Sequence, residues 1–219
     1  MRRSLIALAG LLAASAAWAA GGHHAVDDAA ILDPGQCELE GWFSRSQGGE
    51  RLLHAGASCR LGPVELGASA EASRQGGGSQ PGYGVSAKWA REVADGFSVG
   101  ASVGPAWQAH AQPRYQGPTV AALATWRPRE DLALNLNLGR DLVHRGRDLA
   151  RHGVSAEWLP DDRWSFVAER YLEERTHLVR VGARWSFGKD WSVDASRSHR
   201  LRGPGASAWT LGVSRVFSR

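Results

Sequence analysis

Charged side chains of both signs recur at alternate positions within otherwise apolar runs: Glu38, Glu40, Glu65, Glu71, Glu157, Glu169 and Asp194, with Arg60, Lys88, Arg180 and Arg184. On one face of a closed sheet they would meet in a confined interior. There they either pair to fill the space or line a narrow pore and select what passes. A ring of one sign would mark an ion-selective filter, and the spacing supplies none. Histidines offer a second chemistry. His23 and His24 are the candidates for a metal, and Gly21-Gly22-His23 would chelate copper if the mature chain began at Gly21. His54, His110, His144, His152, His177 and His199 fall close to the longer connections, where solvated loop residues are the plain reading. Ser198-His199 and His152 with Ser155 are available at suitable heights for a lipid-active hydrolase. Serine and histidine are common here, so the chain is expected not to be an enzyme and to need no cofactor, with such a hydrolase left open. Gly76-Gly77-Gly78 lacks the strand, lysine and helix of a phosphate loop.

The elements that position these groups are strands. Period-two alternation puts successive side chains on opposite faces, and Leu132, Leu134, Leu136 and Leu138 interleave with Ala133, Asn135, Asn137 and Gly139. The same pattern predicts twelve strands over 36–46, 51–61, 63–74, 83–92, 97–109, 118–127, 132–143, 151–159, 163–173, 177–187, 191–199 and 207–218. Tight turns are expected at 61–63, 93–96, 128–131, 160–162 and 188–190, where Gly, Pro and Asp gather. Longer loops are expected at 75–82, 110–118, 144–150 and 200–206. Short turns at one end and long loops at the other are the asymmetry of a transmembrane barrel.

Aromatic placement separates this reading from a soluble barrel or sandwich. Trp89, Phe97, Trp126, Trp158, Trp164, Trp185, Phe187, Trp191 and Phe217 collect at the tight-turn end, and Phe43, Tyr83, Trp107 and Trp209 beside the longer loops. A soluble core would use such residues in mid-strand, whereas two girdles around an aliphatic band suit a membrane. Inside lipid every peptide group must be paired within the protein, so the strands must close. The fold class is therefore all-β: a transmembrane antiparallel up-and-down barrel in the bacterial outer membrane.

The ends and composition agree. Arg2 and Arg3, the apolar 5–12 stretch and Ala17-Trp18-Ala19 form a signal peptide over 1–19, leaving a short periplasmic segment at 20–35 and the barrel at 36–219. Of 26 Lys and Arg, two lie in the leader, against 22 Asp and Glu. That near balance and the export route exclude nucleic acid as a partner. Cys37 and Cys59 are equidistant from Gly48; a turn there sets them opposite one another in one hairpin, so a disulfide is expected. Two unpaired buried thiols are the alternative.

One stretch adds a resemblance. His24-Ala25-Val26-Asp27-Asp28-Ala29, followed by Gly35-Gln36 and Glu38-Leu39-Glu40, resembles the start of the outer-membrane barrels named after phenol meta-pathway degradation. Val26 stands where that group has threonine. The resemblance implies a barrel with a transport role and brings no catalytic residues. The expected function is passage of a small solute through a narrow pore, with a structural or surface-interaction barrel as the alternative. The N-terminal segment is expected to fold back as a plug, its aspartates meeting Arg180 or Arg184. Outer-membrane lipids, lipopolysaccharide and the barrel-assembly machinery are the expected partners. Arg45, Arg51, Arg140, Arg170 and Arg197 are expected on the lipid face.

Overall fold

In a computed structural model, residues 23–75 and 78–219 are described; the expected signal peptide, Ala20, the Gly21-Gly22 of the copper reading and Gly76-Gly77 lie outside them. Twelve antiparallel strands form among the described residues, β1(Gln36–Ser46), β2(Arg51–Leu61), β3(Val64–Gln75), β4(Gly78–Ala94), β5(Phe97–Gln108), β6(Tyr115–Arg129), β7(Leu132–Asp141), β8(Leu149–Trp158), β9(Trp164–Glu173), β10(Thr176–Phe187), β11(Trp191–Arg202) and β12(Ala208–Ser218). Each strand pairs with its neighbours in sequence, and β1 closes on β12 from Gln36↔Ser218 to Ser46↔Ala208. No free strand edge remains. Every strand has at least ten residues, and about 9–11 tilted residues cross the hydrocarbon.

Burial is inverted relative to a soluble protein. Leu138 and Leu211 on the outer face are 58% and 62% exposed, whereas Thr125 and Asn135 on the inner face are 1% and 4% exposed. Only hydrocarbon around the barrel makes such an exterior favourable. At the tight-turn end, Trp158, Phe166, Trp164, Trp185, Phe187 and Trp191 run as a chain of ring contacts 5.1–6.5 Å apart. Tyr83, Trp107, Tyr115 and His144 make a second cluster near the other end.

The first hairpin forms with the expected register: Cys37↔Cys59, Leu39↔Ala57, Gly41↔Ala55 and Phe43↔Leu53. Cys37 and Cys59 are joined by a disulfide, and no free cysteine is present. The long-loop end departs from expectation. β4 begins at Gly78 rather than 83, β6 at Tyr115 rather than 118, and β11 continues to Arg202 rather than 199. The 75–82 loop is instead a hairpin held by Ser73↔Gln80, Arg74↔Ser79 and Gln75↔Gly78. Beyond the membrane both strand faces meet water, so the hydrophobic alternation that marks a strand stops before the hydrogen-bonded ladder does.

Candidate functional site

The site is the lumen, and a piece of the chain itself occupies one half of it. Gly35, with a φ of 81°, turns the backbone from the segment into β1. Beyond an exposed Asp33 and Pro34, residues 23–32 run inside the barrel, with Val26, Asp28, Ala29, Ile31 and Leu32 buried. The core cluster consists of Val26 of this segment with Tyr171 and Leu178 of the wall. Gly153 makes room for it, since a Cβ there would stand 2.6 Å from Val26 Cγ2.

Wall side chains satisfy the segment's backbone as a neighbouring strand would. The Leu32 N–H donates to Glu65 at 2.9 Å, the Ala29 N–H to Thr125 Oγ1 at 2.7 Å and the Val26 N–H to Glu169 at 3.0 Å. Arg60 donates to the Leu32 carbonyl at 2.9 Å, and Arg180 to the His23 carbonyl. Asn137, with its amide oriented to satisfy both partners, donates to the Asp27 carbonyl and accepts from the Asp27 N–H at 2.7 Å each. Thr125 passes the network on, donating to Asn135 at 2.7 Å, which donates to Ser155 at 3.0 Å. Buried polar groups need such partners, and here the segment and the wall each supply what the other lacks.

Charges follow the same logic. Lys88 holds Asp27 at 2.9 Å and Asp28 at 3.1 Å. The expectation joined these aspartates to Arg180 or Arg184; Lys88 is a cation it did not name for them. Arg180 is taken by Glu169 at 2.9 Å, and Arg184 lies among Glu38, Glu157 and Asp194. Strand tilt sets which inward side chains share a height, and alternation alone does not carry that information. Glu40 and Glu71 bracket His54 at 3.3 and 3.0 Å, and Trp42 stacks on the His54 ring. Asp194 lies 2.6 Å from His23 Nδ1. Thr125, Ser196 and Trp42 were not singled out from sequence, and Ser155 only as a partner for His152. Their inward phase was readable, but short polar residues carry no chemical signature of their own.

The other half of the lumen is open. A vestibule of about 770 Å³ faces the long-loop end, floored by His23, His24 and Ala25. Its wall carries Glu50, Glu71, Asp141, Glu173 and Glu174 against Arg151 and Arg180. Arg151 bridges Asp141 at 3.0 Å and Glu173 at 2.6 Å. Glu174, in the turn between β9 and β10, has its carboxyl held above the ordinary range, first by the surrounding protein and then by the Glu173 carboxylate. Beside the segment, gaps of about 10–20 Å³ lie against Ala25 and Asn137 and against His24, Val26 and Asn135.

The serine–histidine combinations do not assemble. Ser155 is buried in the lumen, whereas His152 lies an odd number of residues away and points outward. Ser198 faces inward, bonded to the Ala208 backbone, with His199 on the opposite face.

Comparisons agree with this architecture. Residues 7–217 match the family described as "Uncharacterised conserved protein UCP029691". No curated protein matches in sequence. Among solved structures, the KdgM porin aligns with a TM-score of 0.67 and 11% identity over 82% of this chain and 99% of its own. The NanC porin gives 0.59 at 9% identity, covering 82% and 98%. An outer membrane channel from Pseudomonas putida F1, described as COG4313, gives 0.59 at 12%, covering 87% and 98%. At these identities the likeness is one of fold: a transmembrane barrel of the outer-membrane type.

Proposed function

Because the chain belongs to the family described as uncharacterised conserved protein UCP029691, we propose its function from the barrel itself: an outer-membrane channel for a small solute, closed at rest by its own N-terminal segment. The observation that carries this reading is the divided lumen, an open vestibule whose floor is the segment. A filled structural barrel needs no vestibule, and an open porin needs no floor. Cleavage after Ala19 would free the segment to enter the lumen from the periplasmic side.

The vestibule's charge narrows the solute. One of the solved structures is the KdgM porin in complex with disordered oligogalacturonate, a polyanion. Here carboxylates outnumber guanidinium groups around the opening, so a neutral or cationic solute suits it better. The resemblance of 24–40 to the phenol meta-pathway group fits a transport role, and the residues that carry it are those that form the plug and open β1.

Planar-bilayer recordings test the channel. The full mature chain is expected to show low conductance, and deletion of residues 20–33 to raise it about tenfold. Unchanged conductance in the deletion would remove the plug. No conductance in either form would favour a structural surface barrel, which the dense bonding of the segment to the wall also suits.

Features of the exterior support lipid and assembly partners. Arg74, Arg51 and Arg45 stand directly opposite one another across β3, β2 and β1, followed by Trp209 and then Arg197, whose guanidinium lies 4.7 Å from the Trp209 ring centre. Like charges in register repel unless an anion joins them, and the phosphates of lipopolysaccharide fit guanidinium forks. Arg140 and Arg170 are likewise exposed on the outer face. Lipopolysaccharide should therefore raise the thermal stability of the wild type more than that of an Arg45→Gln/Arg51→Gln variant; equal shifts would reject the pairing. Phe217, opposite Cys37 at the closing seam, supports recognition by the barrel-assembly machinery. Phe217→Ala should then lower the folded fraction in cells, and an unchanged fraction would discard that role.

A further inference from the structure

The vestibule floor holds a cluster that plugging alone does not require. One ligand atom from each of His23, His24 and Asp194 lies within 4.8 Å of the others. Nδ1 of both histidines and Oδ1 of Asp194 are buried without a hydrogen-bond partner. His23 Nδ1 and Asp194 Oδ1 are 2.6 Å apart yet not aligned for a hydrogen bond. Buried polar atoms left unsatisfied are rare and costly. Two imidazoles and a carboxylate, each carrying such an atom and with ligand atoms gathered within 4.8 Å of one another, form the donor set of a borderline divalent metal.

The surroundings prepare the site. Ser196 Oγ stands 2.5 Å from His23 Nε2, so an Nε2–H donating to it leaves the Nδ1 lone pair free toward Asp194. The His23 and His24 rings stack with centres 4.7 Å apart. Arg180 pins the His23 carbonyl while its own charge is met by Glu169 at 2.9 Å. The vestibule above supplies water for the remaining coordination positions. Zinc–nitrogen and zinc–oxygen bonds of about 2.0–2.2 Å need only small movements of these side chains. Arg184, within electrostatic reach of Asp194, opposes the added charge and keeps the affinity moderate.

We propose that His23, His24 and Asp194 bind a borderline divalent cation such as Zn²⁺ and that the ion staples the plug to the barrel wall. The histidines belong to the segment and Asp194 to β11, so one bound ion links the two parts that must separate for the channel to open. The stapling rests on the plugged-channel reading, whereas the site itself does not.

The test uses the full mature chain, metal-stripped and refolded in detergent, titrated with Zn²⁺ and, as a control, Mg²⁺. One Zn²⁺ per chain is expected, with affinity falling at least tenfold in His24→Ala and in Asp194→Asn and no competition from Mg²⁺ at equal concentration. His24 meets Glu169 only at 3.9 Å, and Glu169 keeps Arg180 and the Val26 N–H without it, so folding is expected to be retained, and the six remaining histidines serve as an internal control. In bilayers Zn²⁺ should lower the wild-type current several-fold and leave both variants unaffected. Unchanged affinity in His24→Ala overturns the site. Zinc binding with a current indifferent to zinc overturns the staple. Silence in every form, the 20–33 deletion included, overturns the channel reading and leaves the titration to decide the site.

Discussion

At the end of the lumen where β1 begins, the wall's polar side chains turn to the N-terminal segment: Glu65 to Leu32, Thr125 to Ala29, Lys88 to Asp27 and Asp28, Glu169 to Val26. Toward the other end they turn to each other, Arg151 to Asp141 and Glu173, His54 to Glu40 and Glu71, and the middle stays open. Both halves use the same alternating strands of the same barrel. The difference teaches that closure here comes from where the wall's hydrogen-bonding capacity is spent. When it bridges neighbouring strands it leaves an open vestibule, and when it reaches inward it binds the segment that, on the proposed reading, closes the path.

The largest effect is expected from breaking the charge contact between wall and segment. Lys88→Met removes the ammonium that contacts both Asp27 and Asp28. Removing one partner of a buried pair costs about 3–5 kcal/mol, enough to shift the segment out of the lumen. Conductance should approach that of the 20–33 deletion, and a wild-type current in this variant would show that the segment is held by other means.

A smaller change tests the wall without touching the segment. Cys37→Ser with Cys59→Ser removes a bond on the outer face of the first hairpin. For a loop of this size the loss is about 3 kcal/mol, read as a lower urea midpoint for unfolding. The closed-state current should stay at the wild-type level. A leak in this variant would mean that closure depends on the barrel wall rather than on the plug.

The smallest effect belongs to the open half. Glu173→Gln with Glu174→Gln removes carboxylates from the vestibule without reaching the segment. In the 20–33 deletion background, the preference for cations over anions should fall by about two- to threefold. An unaltered reversal potential would separate the vestibule from the permeation path.

Period-two alternation made much of the fold legible. It located the strands and the disulfide register, and it placed Glu38, Glu157 and Arg184 on the inner phase together with the charges discussed above. The symmetry of Cys37 and Cys59 about Gly48 was enough to pair a hairpin because a tight turn fixes register. What alternation cannot carry is height and direction around the barrel. The contact of Lys88 with both aspartates was hidden for that reason, and the partnership of Asn137 with the Asp27 backbone was equally hidden. The segment had no periodic signal at all, because its partners are side chains distributed around the wall. The cluster of His23, His24 and Asp194 was half visible: adjacent histidines stand out, but the carboxylate opposite them lies 171 and 170 positions away in the chain.

The central claim is that the segment blocks the solute path, and locking it in place tests this most directly. The Ala29 N–H and Thr125 Oγ1 are 2.7 Å apart, so Ala29→Cys with Thr125→Cys should allow a covalent link between plug and wall. Current through this variant, carrying Lys88→Met to release the segment, is recorded oxidised and then reduced, with Lys88→Met alone as the control for reductant. The account predicts a closed channel when the link is formed and a current matching the Lys88→Met control after reduction. An oxidised, fully linked channel that conducts as well as the reduced one would contradict it.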